Sequence, residues 1–455
     1  MDRWKKISRL LNCAVCCALI LLAASGCSPA AKQPSPLQQQ ARKLIALPGL
    51  RSATNPQLAA ELQQLETQKQ LPAQLDAAIT PGTYAPFIAA YPAVSRPALQ
   101  RDVNALWPSL SLRLEPGALQ KARELIQQQA AARERFNRAI RATSPREQVR
   151  LADALLADDE WLDAIQTGCR IEGLAAAEAL AEQQPEAAIA PLEKFLHVAR
   201  QLDREQQLNA RLLAMELRAD AAQVLHAIAN HPAATAITLE RLQPLVLQQL
   251  TDWPSDERIW IAERAHGLLV YELVRAGNFT QVLPADQLAE LQRKGIVPTT
   301  ARAALAGIDA DEIFYLRALQ LQIAAARLPF YQRQSALNDL QTELQTRAES
   351  GEFPLVAGSL LLPKNFEIHE RLAADRARYE AWVIVLTTVC ERPLGSPPLC
   401  PLTGQPYELQ ADPQRISIAG LSLREGETVE AARPGLIQAR RRAAGFDLSP
   451  PARLE

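Results

Sequence analysis

Residues 185–230 read PEAAIAPLEKFLHVARQLDREQQLNARLLAMELRADAAQVLHAIAN, and this stretch decides the fold. Pro185 suits a first helical turn, because its missing N–H would have no intrahelical partner there. Ile189, Leu192, Phe195, Leu196, Ala199 and Leu202 then fall on one side of a helix. A second run follows, with Leu208, Leu212, Met215, Leu217, Val224, Leu225 and Ile228, and Pro232 ends it. Two amphipathic runs joined by so short a break predict antiparallel neighbours. Abundant alanine favours helix and lets the axes approach closely.

The same pattern extends in both directions. Upstream, Pro116 and Gly117 open a helical run to near Arg141, with Leu119, Ala122, Leu125, Ile126 and Ala130 as its stripe. Ser144-Pro145-Arg146-Glu147 predicts another start, with Ser144 as cap and Glu147 three residues on. Asp158-Asp159-Glu160, just before Trp161, reads as a helix start rather than a catalytic carboxylate pair. Downstream, helices are predicted over 239–250, from Ser255 to Gly277, over 309–328 and over 331–348. Residues 351–363, with Gly351, Pro354, Gly358 and Pro363, read as a loop. Phe366 to Cys390 reads as one long helix, and Glu408–Gln410 with Arg415–Ile418 as a small hairpin. The expected fold is therefore all-α: stacked antiparallel amphipathic helices with a small C-terminal β-hairpin appendage.

The first residues differ in kind. Arg3, Lys5, Lys6 and Arg9 form a basic start, and Leu10 to Ala24 is apolar apart from Asn12. That run is short of the roughly 20 residues of a transmembrane helix and has the anatomy of a secretory signal. Ala24-Ser25-Gly26 then precedes Cys27. Small residues directly before a cysteine resemble the lipobox of bacterial lipoproteins. The resemblance implies cleavage before Cys27, diacylation of its sulfur and acylation of the new amino terminus. An uncleaved anchor or an ordinary secreted protein is the alternative. More than one acyl chain gives stable anchoring in the lipid bilayer. Ser28 stands where an aspartate would mark inner-membrane retention. The expectation is a lipid-anchored envelope protein of the outer membrane, facing the periplasm.

The organisation expected is a signal peptide over 1–26, a flexible tether over 27–43 and an irregular, proline-rich helical layer over 44–112. A helical body over 113–350 follows. Residues 351–430 carry the long helix, proline-rich loop and hairpin, and 431–455 form a polar tail. The tether is rich in proline, serine and glutamine and has no apolar period. The 455 residues carry 49 basic and 50 acidic side chains. Loss of residues 1–26 removes four basic side chains and one acidic, leaving a formal charge of about −4. That balance argues against a nucleic-acid partner, which would call for a basic patch, and Arg440-Arg441-Arg442, the one dense basic run, reads as a solvated face.

No phosphate-cradling glycine loop, nucleophile elbow or His-Glu-x-x-His site is present in the sequence. Glu263-Arg264-Ala265-His266 matches one half of a di-iron motif, which needs a second copy and two further glutamates. His197, His226, His231 and His369 show no ligand spacing and read as surface or satisfied core residues. No cofactor and no metal is expected, and no catalytic residue is assigned. Of seven cysteines, Cys13, Cys16 and Cys17 leave with the signal and Cys27 takes lipid. Cys169 reads as a small buried residue and free thiol. Cys390 and Cys400 flank a segment with Pro393, Gly395, Pro397 and Pro398, which can double back. They form either a disulfide stapling hairpin to helix, in a compartment that permits one, or two unpaired thiols near a turn.

Cys400-Pro401-Leu402-Thr403-Gly404-Gln405-Pro406-Tyr407 resembles the Asp-Pro-Phe-Ser/Thr-Gly-x-Pro-Leu/Tyr element of a group of largely helical bacterial envelope proteins with no assigned activity. In that group a long helix with an Arg-Tyr stretch, here Arg378-Tyr379, precedes the element, and a strand pair follows it. The arrangement looks like a distant echo of the globular end of type II secretion pseudopilins. The resemblance spans about 147–420 and implies fold rather than activity. Cys400 replaces the group's aspartate. Two functions stay open: a structural, protein-contacting component of the envelope with an unknown protein partner, or an enzyme or ligand-binding protein with a pocket between helices. Convergent polar groups in a cavity would favour the second. A continuous exposed apolar groove would favour the first.

Overall fold

The computed structural model describes residues 55–69, 71, 74–77, 81–107, 115–142, 147–150, 160–251, 253–276, 289, 293, 307–350, 352, 354–393, 395–421 and 428–433. The expected signal peptide and tether, Cys27 and the residues beyond 433 lie outside them. Thirteen α-helices and five short strands occupy the described residues. The architecture is all-α with a small antiparallel sheet at the C-terminal end.

The deciding stretch forms α7 (Pro185–Asp203) and α8 (Leu208–Ala229), preceded by α6 (Glu160–Ala181). These three pack on one another and bury every apolar residue of the α7 stripe. Cys169 is buried in α6. Four shorter helices surround α6: α2 (Pro81–Ala90), α3 (Arg96–Leu106), α4 (Pro116–Gln128) and α5 (Ala130–Arg141). The α6 glycines permit close approach: a Cβ on Gly173 would lie 2.4 Å from the Trp107 ring.

A second core joins α1 (Pro56–Thr67), α10 (Asp256–Arg275) and α11 (Ile308–Ala325). Asn55 caps α1 by accepting from the backbone N–H of Gln57 at 2.9 Å. Gly267 lets α10 meet Tyr315 of α11, whose hydroxyl donates to the Glu263 carbonyl at 2.7 Å. Residues 354–363 are more regular than their glycine and prolines suggest. Ala357–Leu361 form a π-helical turn, anchored where Asp311 accepts from the N–H groups of Val356 (2.8 Å) and Ala357 (2.9 Å).

Helix α9 (Ala236–Thr251) packs along α13 (Asn365–Val389), and α12 (Phe330–Ser350) precedes it. At about 1.5 Å per residue, α13 is some 37 Å long and contributes to three apolar clusters. Ile368 and Leu372 lie in the second core. Ala373 and Ala377 pack with Phe330 and Cys400, and Tyr379 to Val389 complete the first core.

The expected hairpin is present as β3 (Glu408–Ala411) and β4 (Arg415–Ala419), with Leu409 opposite Ile418. Asp412 Oδ1 accepts from the N–H groups of Gln414 (2.6 Å) and Arg415 (2.7 Å), an Asx turn that closes it. A third strand, β5 (Val429–Ala432), pairs with β4 and buries Val429 and Ala431. Glu147 does not continue a helix. Residues Glu147–Arg150 form β2, antiparallel to β1 (Gln74–Ala77). The capping signal at Ser144 is local, and a partner strand some 70 residues upstream outweighs it.

Charge pins the layers where the helices meet. Arg218, fully buried on α8, donates to Asp203 at the end of α7 and through Nε to Asp375 of α13 at 2.7 Å. Arg211 also donates to Asp203, and Arg378 to Asp375 at 3.0 Å. The Trp253 ring lies 4.7 Å from the Arg218 guanidinium and 5.2 Å from that of Arg211. Arg333 of α12 donates to Asp256 at 2.9 Å and lies 3.1 Å from His369 Nδ1. Among the described residues no helix is long and apolar enough to cross a membrane.

Candidate functional site

The polar side of α7 becomes concave once α5 and α9 stand against it. A cavity of about 700 Å³ opens there, its rim completed by Pro86 of α2. Its volume lies within the range of small-molecule sites. Four basic side chains line it, Arg141, Lys194, Arg200 and Arg204, against one acid, Glu193. Lys194 is tied to Glu172 at 2.6 Å, and Arg133 holds the same carboxylate from the other side at 3.0 Å. Burial alone would raise the Glu172 carboxyl, but these two cations hold it below the usual range.

The positive character of the cleft is legible at His197. Its Nε2 lies 3.0 Å from Gln201 Nε2, one turn further along α7. Gln201 also reaches the Ile140 carbonyl on α5, at 3.4 Å. Burial first, then the Arg200 guanidinium and more weakly that of Arg204, lower the His197 pKa below its ordinary value. The same two guanidiniums line the cleft beside the imidazole. Four amides share the lining: Asn137, Gln201, Gln248 and Gln249. Gln249 is only 3% exposed, and neither its Oε1 nor Asn137 Oδ1 meets a protein donor. Such a surface can hold an anion and exchange hydrogen bonds with neutral groups beside it. It offers no adjacent nucleophile and base of the kind covalent catalysis needs.

A second cleft, of about 460 Å³, lies between α12, α13 and the proline-rich loop. Arg333 and Asp256 form part of its wall, already paired with each other. Leu328 (45% exposed) and Leu399 (51% exposed) stand at its edge.

The residues singled out in the sequence lie away from the basic cleft, apart from His197. The Cys390–Cys400 bridge is not formed, and both thiols are free. Cys390 caps the end of α13, half-buried against the first core. Cys400 is buried with Ala373 and Ala377 and hydrogen-bonds Tyr407, whose hydroxyl donates to Glu380 at 2.7 Å. From Glu380 or Ala377 to Cys390 the helix rises about 15–20 Å, far beyond the roughly 7 Å a disulfide spans. The loop does double back, as its prolines suggest, but it overshoots Cys390 and runs along α13. Gly404, at φ +71°, then fits under the Tyr331 ring, where a Cβ would lie 2.8 Å away. Arg378-Tyr379 belongs to the charge pin, with the Tyr379 hydroxyl donating to the Arg218 carbonyl at 2.9 Å. Glu263 and His266 lie 3.8 Å apart on α10. Among the described residues no group of three His, Cys, Asp or Glu side chains could hold a metal ion.

Arg200, Arg204, Gln201 and Gln249 went unnoticed in the sequence. For the first three the one signal was spacing: 193, 197, 200, 201 and the C-cap residue 204 recur on the polar side of α7. That pattern equally describes a solvated surface. No protein-family model, curated protein or solved structure matches the chain.

Proposed function

We propose that this chain is a lipid-anchored bacterial envelope protein whose helical body binds a small anionic molecule in the cleft between α5, α7 and α9. One observation carries the binding reading: four basic side chains and four amides converge on one cavity of about 700 Å³. Of the two functions the sequence left open, this arrangement favours the ligand-binding one. Anchoring rests on the basic start, the apolar run and the small residues before Cys27. Outer-membrane placement facing the periplasm follows from Ser28 after the cysteine.

Two expected results follow. In cells fed a radiolabelled fatty acid, Cys27→Ser abolishes acyl labelling and releases the chain from membranes. Retained label on the variant contradicts the anchor. In the cleft, inorganic phosphate at ten times its Kd stabilises the wild-type chain by about 1.4 kcal/mol. That appears as a rise in melting temperature at constant ionic strength. Arg200→Glu combined with Arg204→Glu removes the rise. An equal rise in the double variant means that the anion binds elsewhere.

Leu328 and Leu399 favour a second reading, in which the smaller cleft meets a protein of the envelope. A photocrosslinker at position 399 then gives one discrete adduct in intact cells, and no adduct counts against that contact.

A further inference from the structure

We infer that the smaller cleft, between α12, α13 and the proline-rich loop, takes a proline-rich segment, and that its occupant is this chain's own Ser449-Pro450-Pro451-Ala452. The inference is independent of the anion-binding reading, which concerns the other cavity. Its basis is the hydrogen bonding the cleft has to offer. Trp253 lines it, and the indole N–H meets no acceptor among the described residues. Tyr331 lines it too. The Tyr331 hydroxyl accepts from Gln332 at 3.1 Å, which leaves its own hydrogen free to donate. The acceptors are in use. Asp256 accepts from Arg333, and Glu380 from Arg376 and Tyr407. The carbonyls of Ala326 and Leu328 accept from Arg333, and that of Pro401 from the Tyr331 N–H.

Proline fits that balance, because it has no N–H to satisfy. In the extended polyproline form a segment makes no internal hydrogen bonds, so its carbonyls are free to accept. Its rings pack on aromatic walls, here Trp253, Phe330 and Tyr331, with the exposed Leu328 and Leu399 at the edge to cover them. An ordinary extended peptide would bring N–H groups that find those acceptors taken. Chain length selects the occupant. Pro450-Pro451 is an adjacent pair, whereas Pro29, Pro34 and Pro36 stand singly. The described backbone ends at Arg433, whose N–H donates to the Gln414 carbonyl at 3.0 Å. Gln414 lies 13 residues beyond Pro401 of the cleft, and 17 residues separate Arg433 from Pro450. At about 3.4 Å per residue the first distance cannot exceed roughly 44 Å, while the second stretch reaches roughly 58 Å. Joined to the cleft by its own chain, the segment has an effective concentration on the order of millimolar. A contact too weak for a separate peptide therefore stays populated. An envelope protein entering the same cleft has to displace it.

The test places p-benzoylphenylalanine at position 399 of the full chain, purified in detergent. After irradiation and digestion with trypsin, mass spectrometry is expected to find a link from position 399 to the peptide 443–453. Pro450→Ala combined with Pro451→Ala lowers the yield of that link several-fold. Trp253→Phe does the same, because it keeps a ring on Arg211 and Arg218 and removes only the larger indole and its N–H. A mixture of isotope-labelled and unlabelled chains shows whether the link lies within one chain. Links between chains make the occupant a second copy and overturn the assignment. So do links from position 399 only to residues 28–54, or only to another protein in intact cells. No link to 443–453, or a yield unchanged by the proline substitutions, overturns it as well.

Discussion

Arg218→Met lowers the unfolding free energy by about 3–5 kcal/mol, the usual cost of removing one partner from a buried ion pair. Arg218 is fully buried and bridges Asp203 of α7 to Asp375 of α13, residues 172 positions apart in the chain. Burial works against its charge, but the two carboxylates outweigh burial and raise its pKa. Methionine fills much of the space but leaves both carboxylates short of a cation. Arg211 still serves Asp203 and Arg378 still serves Asp375, which keeps the loss from growing further. Arg218→Lys recovers only part of it, because a single ammonium cannot span both carboxylates as a planar fork does. Urea denaturation followed by circular dichroism measures the difference. A loss below about 1 kcal/mol for the methionine variant would show that the pin contributes little.

Acid destabilises the chain through His369. The ring is fully buried, stacked at 4.3 Å on Trp260, with Arg333 on its Nδ1 side. Burial first, and then the Arg333 guanidinium, hold its pKa down to about 3, against 6.5 for an ordinary histidine. Between those two values the unfolded chain carries a proton here that the folded chain does not. Stability therefore falls as pH drops below about 6.5, and at pH 5 this one group has cost about 2 kcal/mol. The loss continues until pH reaches the folded pKa. His369→Phe keeps an aromatic ring against Trp260 and removes the titration. Its stability changes less steeply between pH 6.5 and pH 5 than that of the wild type. Identical slopes would mean that His369 takes up its proton without opening the core.

The helices were legible because their signals are local. Pro185, Pro116 and Ser255 mark starts, Pro232 marks an end, and stripes such as Ile189 to Leu202 set the buried face. The hairpin was legible for the same reason, since Asp412 and Pro413 punctuate two short alternating runs. What escaped was whatever depends on distant partners. Glu147 carries a helix-start signal and pairs as a strand with Ala77. Asp375 looks like any polar helix position until α8 brings Arg218 against it. Cys400 looks like a partner for Cys390 until the loop carries it along α13 to Tyr407. The basic cleft is the extreme case. Nothing in the α7 sequence separates a solvated polar face from one wall of a cavity, because the other walls come from α5 and α9. Arg200 and Arg204 acquire meaning only through Asn137 on one side and Gln249 on the other.

His197 reports on that cleft from inside it. Titrating its ring by nuclear magnetic resonance, with the signal assigned by its loss in His197→Gln, tests the central claim most directly. The titration is run with and without sulfate, whose charge is constant across the pH range, at fixed ionic strength. An anion seated by Arg200 and Arg204 offsets the charges that depress His197, so its pKa rises saturably with sulfate. A His197 pKa that stays where it is, up to sulfate concentrations that perturb exposed histidines, would contradict anion binding in the cleft.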